Sequence, residues 1–282
     1  MYASVLSALL LGVWPLMGLA GQSRAIEYLA VAPPAHTLTL STALSASGIL
    51  VMDAESGQPV YAKQAAVRRP MASITKLMTA LLIVENHELD EVVTISKEAA
   101  KAIGNIAYLP EGEHFTVEDL LSAILIASAN DAAIALAEHH SGSVDAFVLE
   151  MNERAQQLGL KDTSYADPIG LDHATQFSTP RDIAWLTKFV LGKEEIAKRM
   201  QMRGERMWSL EGTEISLSHT HALLHTSSEI IAGKTGTTDM ARQCLVSIFE
   251  EDGRNYIAVL LYSIERYQDM KTIMNALSTT LL

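Results

Sequence analysis

The sequence predicts an α/β (α+β) fold in which one sheet is completed by strands from both chain ends and a helical lobe is inserted between them. Three observations carry this reading. Strand-like segments bounded by turn residues occur near the start and again near the end of the chain. Capped segments with helical apolar spacing fill the middle. No internal repeat, low-complexity tract or long charged linker divides the chain into separate units.

Taken in order, "SASGILVMDAESGQPVYAK" reads as two short strands joined by a turn at Glu55–Gln58. "MASITKLMTALLIVENH" follows as a helix with apolar residues at Leu77, Met78, Leu81, Leu82 and Val84. "TVEDLLSAILIA" opens on a Thr116 cap and an acidic first turn. "DAAIALAEHH" and "SVDAFVLEMNERAQQLG" continue the helical pattern, and "TPRDIAWLTKFVLG" has a proline-led start. "EIIAGKTGTT", "QCLVSIFEED" and "NYIAVLLYSI" read as three strands, the last two joined by the hairpin turn "EEDGRN". "QDMKTIMNALS" closes the chain as a helix. A cleft between sheet and helical lobe is where a site is expected.

The 282 residues are 49% hydrophobic and 19% charged, a globular composition with ample material for a core. The net charge of -12 argues against nucleic acid as a partner, because phosphate binding needs a basic surface. It does not exclude a small anionic ligand, which one or two local cations can hold. Before Arg24, the first charged residue, runs the apolar "MYASVLSALLLGVWPLMGLAGQS". Residues 1–25 are therefore read as a signal peptide or retained membrane anchor, although no cation precedes the apolar run and Pro15 interrupts it. Residues 26–44 are read as a linker and 45–282 as the working domain, with no second β domain and no C-terminal anchor. The expected location is outside the cytoplasm, periplasmic or on the outer face of the cytoplasmic membrane, with membrane contact only through the leader if it is kept. Cys244 is the single cysteine, so there is no intrachain disulfide, and its strand-like setting marks a buried structural thiol.

Three short motifs carry the chemistry. "SITK" sets Ser73 and Lys76 three apart where a proline-led loop becomes a helix, a pair that arises about once by chance in a chain this long. "SAN" sets Ser128 and Asn130 in a break between helical segments, and "KTG" sets Lys234, Thr235 and Gly236 in a late strand. All three in this order, on a helix start, an interhelical loop and a strand, form a much rarer set.

The set resembles the one shared by class A β-lactamases and penicillin-binding proteins. Longer runs, including "RPMASITKLMTALLIVE", "LLSAILIASANDAAIALAEHH", "GLD" at Gly170–Asp172, "STPRDIAWL" and "GKTGTT", look like the low-molecular-mass penicillin-binding proteins that are serine D-alanyl-D-alanine carboxypeptidases. The resemblance spans roughly Ser47 to Ala276. It implies a β-lactamase/transpeptidase-like fold with an antiparallel sheet, peptidoglycan stem peptides as substrate, β-lactam antibiotics as inhibitors, and no cofactor or metal. A D-alanyl endopeptidase of peptidoglycan cross-links is the alternative within the same group. A class A β-lactamase fits less well, since "KDTSYADPIGLDHAT" has Asp167 and Asp172 but no Glu-x-x-Leu-Asn motif.

The resemblance makes Ser73 the nucleophile and Lys76, one helical turn on, its base, although the identity of the base is disputed across this superfamily. Burial beside a second cation, Lys234, would lower the Lys76 pKa in the required direction. Ser128 would relay a proton to the leaving amine, and Asn130 would hold the Lys76 head and the substrate backbone. The strand from Lys234 to Thr237 would take the peptide as an added strand, with Thr235 and Lys234 at its terminal carboxylate. Gly236 would leave room for the substrate, and the Ser73 and Thr237 N–H groups would form an oxyanion hole. Arg266 stands about where relatives supply a second carboxylate-binding cation, or is a solvated surface arginine. Arg242 stands where relatives have glycine. "HTHALLH" gives His219, His221 and His225 a spacing zinc could use; a solvated loop, or a His221 facing the substrate, are the other readings.

Overall fold

The computed structural model describes Leu38, residues 43–227 and residues 229–281. Its central strands read as almost unbroken apolar runs because both sheet faces are covered. In β1 (Gly48–Asp53), Leu50 and Met52 face the helical lobe while Ile49 and Val51 face the opposite side. β9 (Arg254–Ser263) alternates in the same way, with Ile257, Val259 and Leu261 against the lobe and Tyr256, Ala258 and Leu260 away from it. Both belong to a five-stranded antiparallel sheet completed by β2 (Pro59–Lys63), β7 (Ile230–Thr238) and β8 (Arg242–Glu251), in the order β2-β1-β9-β8-β7. The expected sheet from both chain ends is therefore present, and β7 forms one of its edges.

On one face packs the lobe of α1 (Lys76–Asn86), α3 (Val117–Leu125), α4 (Asn130–Ser141), α5 (Val144–Gln157), α6 (Pro180–Leu191) and α7 (Glu194–Gln201). α1 is buried from Lys76 through Ile83, the mark of a helix enclosed on all sides. α3 starts with a capping box between Thr116 and Asp119, and α6 with Pro180 in its first turn behind the Thr179 cap. The other sheet face is covered by α9 (Arg266–Leu281), whose Met270, Ile273 and Leu277 recur at helical spacing, and by the short α8 (Ala222–Thr226).

The helix expected from Met71 onward begins instead as a separate 3-10 turn, Ala72–Thr75, entered through Ala72 at φ +49°. Two small hairpins were not apparent in the sequence: β3 (Val92–Thr94) with β4 (His114–Thr116), and β5 (Gly204–Trp208) with β6 (Glu214–Ser218). A four-residue helix, α2 (Lys97–Ala100), lies between β3 and β4. Arg242 has φ +56°, a left-handed conformation that explains why glycine suits this position. Cys244 is fully buried in β8, and burial pushes its thiol up to about 11, as befits an inert structural group.

The leader, residues 1–25, lies outside the described residues, as does most of the 26–44 linker. Leu38 and Leu44 are buried in the outer core, and the Leu38 N–H donates to the Val60 carbonyl at 2.9 Å. Among the described residues no helix is long and apolar enough to cross a membrane.

The chain ends are joined through one buried carboxylate. Asp269, in the first turn of α9, accepts from the Ser45 and Ala46 N–H groups at 2.7 and 2.8 Å and from the Ser45 and Ser263 hydroxyls at 2.7 and 2.6 Å. Asp269→Ala leaves these donors without their acceptor, a loss of about 3 kcal/mol, so the thermal midpoint should fall by about 6–12 °C in calorimetry.

Candidate active site

The 3-10 turn Ala72–Thr75 sets Ser73 one turn before Lys76 at the start of α1. The Lys76 Nζ lies 3.1 Å from Ser73 Oγ, 2.7 Å from Asn130 Oδ1 and 2.8 Å from the Ile169 carbonyl oxygen. The last two can only accept. A neutral amine has two N–H groups and one lone pair, so donating to Asn130 and Ile169 turns its lone pair toward the Ser73 hydroxyl. Lys76 is fully buried, and burial brings its pKa down to about 7 against the opposing pull of Asp167 and Asp131. Burial, rather than the Lys234 charge, is the main cause, which corrects the emphasis of the sequence reading.

Ser128 and Asn130 come from the turn that starts α4. Ser128 has φ +60°, and with Ala72 it places left-handed backbone at both turns that present a serine. The Ser128 Oγ accepts from Lys234 Nζ at 2.7 Å, which leaves its own proton free to be given elsewhere. The Asn130 Nδ2 donates to the Ile103 carbonyl at 2.6 Å, so this amide is fixed as a bracket for Lys76.

Lys234, Thr235, Gly236 and Thr237 lie on the edge strand β7, alongside the 3-10 turn. Lys234 is fully buried and pushed well below its ordinary range by burial, then by Lys76 and Arg266. Thr235 Oγ1 donates to Thr220 Oγ1 at 2.6 Å. A Cβ on Gly236 would come within 2.8 Å of both Ala72 Cβ and Ser73 N. The bulk that Gly236 avoids is thus the Ser73 turn, a nearer reason than room for substrate. Arg266 is half-buried at the start of α9, and its Nη1 donates to the Gly236 carbonyl at 3.0 Å and to Thr237 Oγ1 at 2.9 Å. It is held against β7 and is not a solvated surface residue.

The loop from Asp167 to Asp172 contributes what the sequence reading left out. Asp167 Oδ1 accepts from the Ile169 and Gly170 N–H groups at 2.8 and 2.5 Å, and Oδ2 from Gln176 Nε2 at 2.9 Å. This fold of the loop aims the Ile169 carbonyl at Lys76. Gly170, at φ +95°, lies so close that a Cβ would be 2.1 Å from the Ala72 carbonyl oxygen and 2.8 Å from Ser73 N. Asp172 accepts from Thr238 Oγ1 at 2.5 Å and Met240 N at 3.0 Å. The signal in the sequence was the Asp-Pro-x-Gly-Leu-Asp run itself, but a backbone carbonyl acting as a ligand has no residue signature.

The histidine segment is neither a metal trio nor substrate-facing. His221 is fully buried with Nε2 2.7 Å from Ser247 Oγ, His219 Nδ1 accepts from the His221 N–H at 3.0 Å, and His225 Nε2 lies 2.9 Å from the His219 carbonyl. Burial holds His221 down to about 4 and His219 to about 3, so both stay neutral.

Fold and site together bring Ser73, Lys76, Ser128 and Lys234 to one edge of an antiparallel sheet. Residues 34–263 match the family model for D-alanyl-D-alanine carboxypeptidases, and the chain belongs to that family of serine peptidases. It is similar to the D-alanyl-D-alanine carboxypeptidase DacF of Bacillus subtilis, 34% identical over 227 residues that make up 79% of this chain and 58% of that protein. A D-alanyl-D-alanine endopeptidase of Pseudomonas aeruginosa is 32% identical, covering 76% of this chain and 70% of that one. The crystal structure of a Streptomyces DD-transpeptidase superimposes with a TM-score of 0.80 at 28% identity, covering 84% of this chain and 98% of that one. The chain thus spans a little over half the length of the Bacillus carboxypeptidase.

Gly170→Ala and Gly236→Ala test how tightly the nucleophile is wedged. Either methyl group must displace the Ser73 turn, and a shift of ~1 Å there should slow acylation of Ser73 by about 10²-fold. Stopped-flow acylation with a chromogenic cephalosporin reads this directly. A near-normal rate in both variants would mean that the turn tolerates displacement.

Proposed function

We propose that this chain is a serine D-alanyl-D-alanine carboxypeptidase that trims peptidoglycan stem pentapeptides and is inhibited by β-lactams. The observation that carries the reading is the placing of Lys76 Nζ within reach of Ser73 Oγ, Asn130 Oδ1 and the Ile169 carbonyl; in the neutral amine the last two take both N–H groups and leave the lone pair for Ser73. In the proposed reaction Lys76 takes the Ser73 proton as Oγ attacks the carbonyl carbon of the penultimate D-alanine. The Ser73 and Thr237 N–H groups stabilise the oxyanion. Ser128 passes a proton to the nitrogen of the leaving D-alanine and is re-protonated from Lys76, and water then cleaves the ester. Lys234, Thr235 and Arg266 receive the substrate's terminal carboxylate, whose negative charge would restore the Lys234 charge that burial suppresses.

Both carboxylates of the Asp167–Asp172 loop are engaged by hydrogen bonds, which supports slow hydrolysis of a penicilloyl ester and argues against a β-lactamase. Residues 45–282 would form the catalytic domain, placed on the outer side of the cytoplasmic membrane by an N-terminal leader. The endopeptidase reading draws support from the Pseudomonas relative, which is 32% identical to this chain.

Intact-mass spectrometry after penicillin treatment should show one lasting adduct at Ser73; modification elsewhere would overturn the assignment. The second-order acylation rate should climb about tenfold per pH unit from acid and level off above about 7, because only the neutral Lys76 is a base. Lys76→Arg keeps the charge but cannot lose its proton, and should lower the rate by about 10²–10⁴-fold at pH 8. A pentapeptide ending in D-Ala-D-Ala should yield free D-alanine; conversion of cross-linked dimers with no free D-alanine would select the endopeptidase instead.

A further inference from the structure

The far ends of α1 and α4 meet in a cluster of imidazoles and carboxylates unconnected with the acyl-transfer site. His87 caps the end of α1, His139 and His140 lie in the last turn of α4, Glu91 lies just before β3, and Glu150 lies on α5. His87 Nδ1 is 2.8 Å from Glu91 Oε2, and His139 Nε2 is 3.1 Å from the same oxygen. His87 Nε2 is 2.8 Å from His140 Nδ1, whose Nε2 is 2.9 Å from Glu150 Oε2.

Counting protons along this line exposes a deficit. Glu91 accepts from the Glu88 N–H and Glu150 from the Ser141 hydroxyl, and an ionised carboxylate can only accept. His87 must then donate from Nδ1 and His140 from Nε2. The remaining link, His87 Nε2 to His140 Nδ1, faces lone pair to lone pair at hydrogen-bonding distance. Two neutral imidazoles supply two protons to a line of three links.

We propose that a divalent transition-metal ion of the zinc kind completes this line, bound by His87 Nδ1, His139 Nε2 and Glu91 Oε2. With a cation at His87 Nδ1, the His87 proton sits on Nε2 and donates to His140, which donates in turn to Glu150. Every link is then satisfied by neutral rings, and the result is the histidine–carboxylate support that usually stands behind a metal-bound imidazole. Glu91 is already oriented, since its Oε1 accepts from the Glu88 N–H at 2.8 Å. The three ligand atoms all lie within 4.8 Å of one another, and His139, about a quarter exposed, has room to close onto the ion while water completes its shell. Two helix C-termini, each carrying partial negative charge, favour a cation here. The ion would pin together the far ends of the two helices whose near ends carry Lys76 and Asn130.

The test uses untagged full chain, stripped with a chelator and dialysed. One equivalent of cobalt(II) should give visible absorption bands of a nitrogen–oxygen site, bleached on adding zinc(II). Zinc at about a hundred times its Kd should raise the thermal midpoint by about 5 °C or more. Glu91→Gln and His139→Asn should abolish both effects, and Glu150→Gln, which removes only the support behind His140, should weaken zinc binding by about 10–100-fold. Far-ultraviolet circular dichroism of the stripped variants reports folding independently of the metal and of the carboxypeptidase reading. Cobalt bands that persist in both ligand variants would overturn the site. So would an unaltered midpoint in zinc, which would mean that a proton alone fills the missing link.

Discussion

The constraint on which the rest depends is that a lysine amine is sealed in the protein interior without an ion pair. Lys76 has acceptors on three sides, from the 3-10 turn, the start of α4 and the Asp167 loop, and none of them is charged. An ammonium there would need compensation that these neutral oxygens supply only in part, so burial drives the group toward its basic form. Each neighbouring feature follows from keeping that pocket closed. Gly170 and Gly236 exist so that two segments can touch the nucleophile's turn from opposite sides. Asp167 exists to fold a loop so that a carbonyl points inward.

The same economy governs Lys234. Stacking a second buried lysine near the first places two amines in one low-dielectric volume, and among the described residues neither forms an ion pair with a carboxylate. A site built this way is short of negative charge until a ligand brings some. The acidic surface of the chain, at net -12, does nothing to relieve that local deficit, because the relevant distances are a few ångströms and the surface charges are solvated.

The larger elements were legible in the sequence for plain reasons. β1, β8 and β9 carry apolar residues on both faces and are bounded by turns; α3 and α6 announce themselves by a Thr116 cap and a Thr179-Pro180 start. Ser73, Lys76, Ser128, Asn130 and Lys234, which the fold brings together, were legible because they stand in short motifs. What was hidden was carried by backbone. The Ile169 carbonyl, the 3-10 entry at Ala72 and the exclusion of a methyl group at Gly236 depend on where chain segments meet, which no local pattern encodes. The β3–β4 pair was missed because strands of three residues have too few positions to show alternation. His219 and His221 misled for a related cause: spacing along the chain says nothing about which ring nitrogen a buried hydroxyl or amide has claimed.

The clamp at Asp269 has a further consequence for how the molecule comes into being. The central strand, β9, follows β1 by some two hundred residues, and until it forms β1 can pair with nothing but β2. The helical lobe is assembled from local contacts and can condense early, whereas the sheet waits for a loop closure of some two hundred residues. During that interval β1 presents a flat apolar edge. Closing the sheet therefore means docking the β8–β9 hairpin and α9 onto β1, and removing α9 would take away the Asp269 clamp along with the helix.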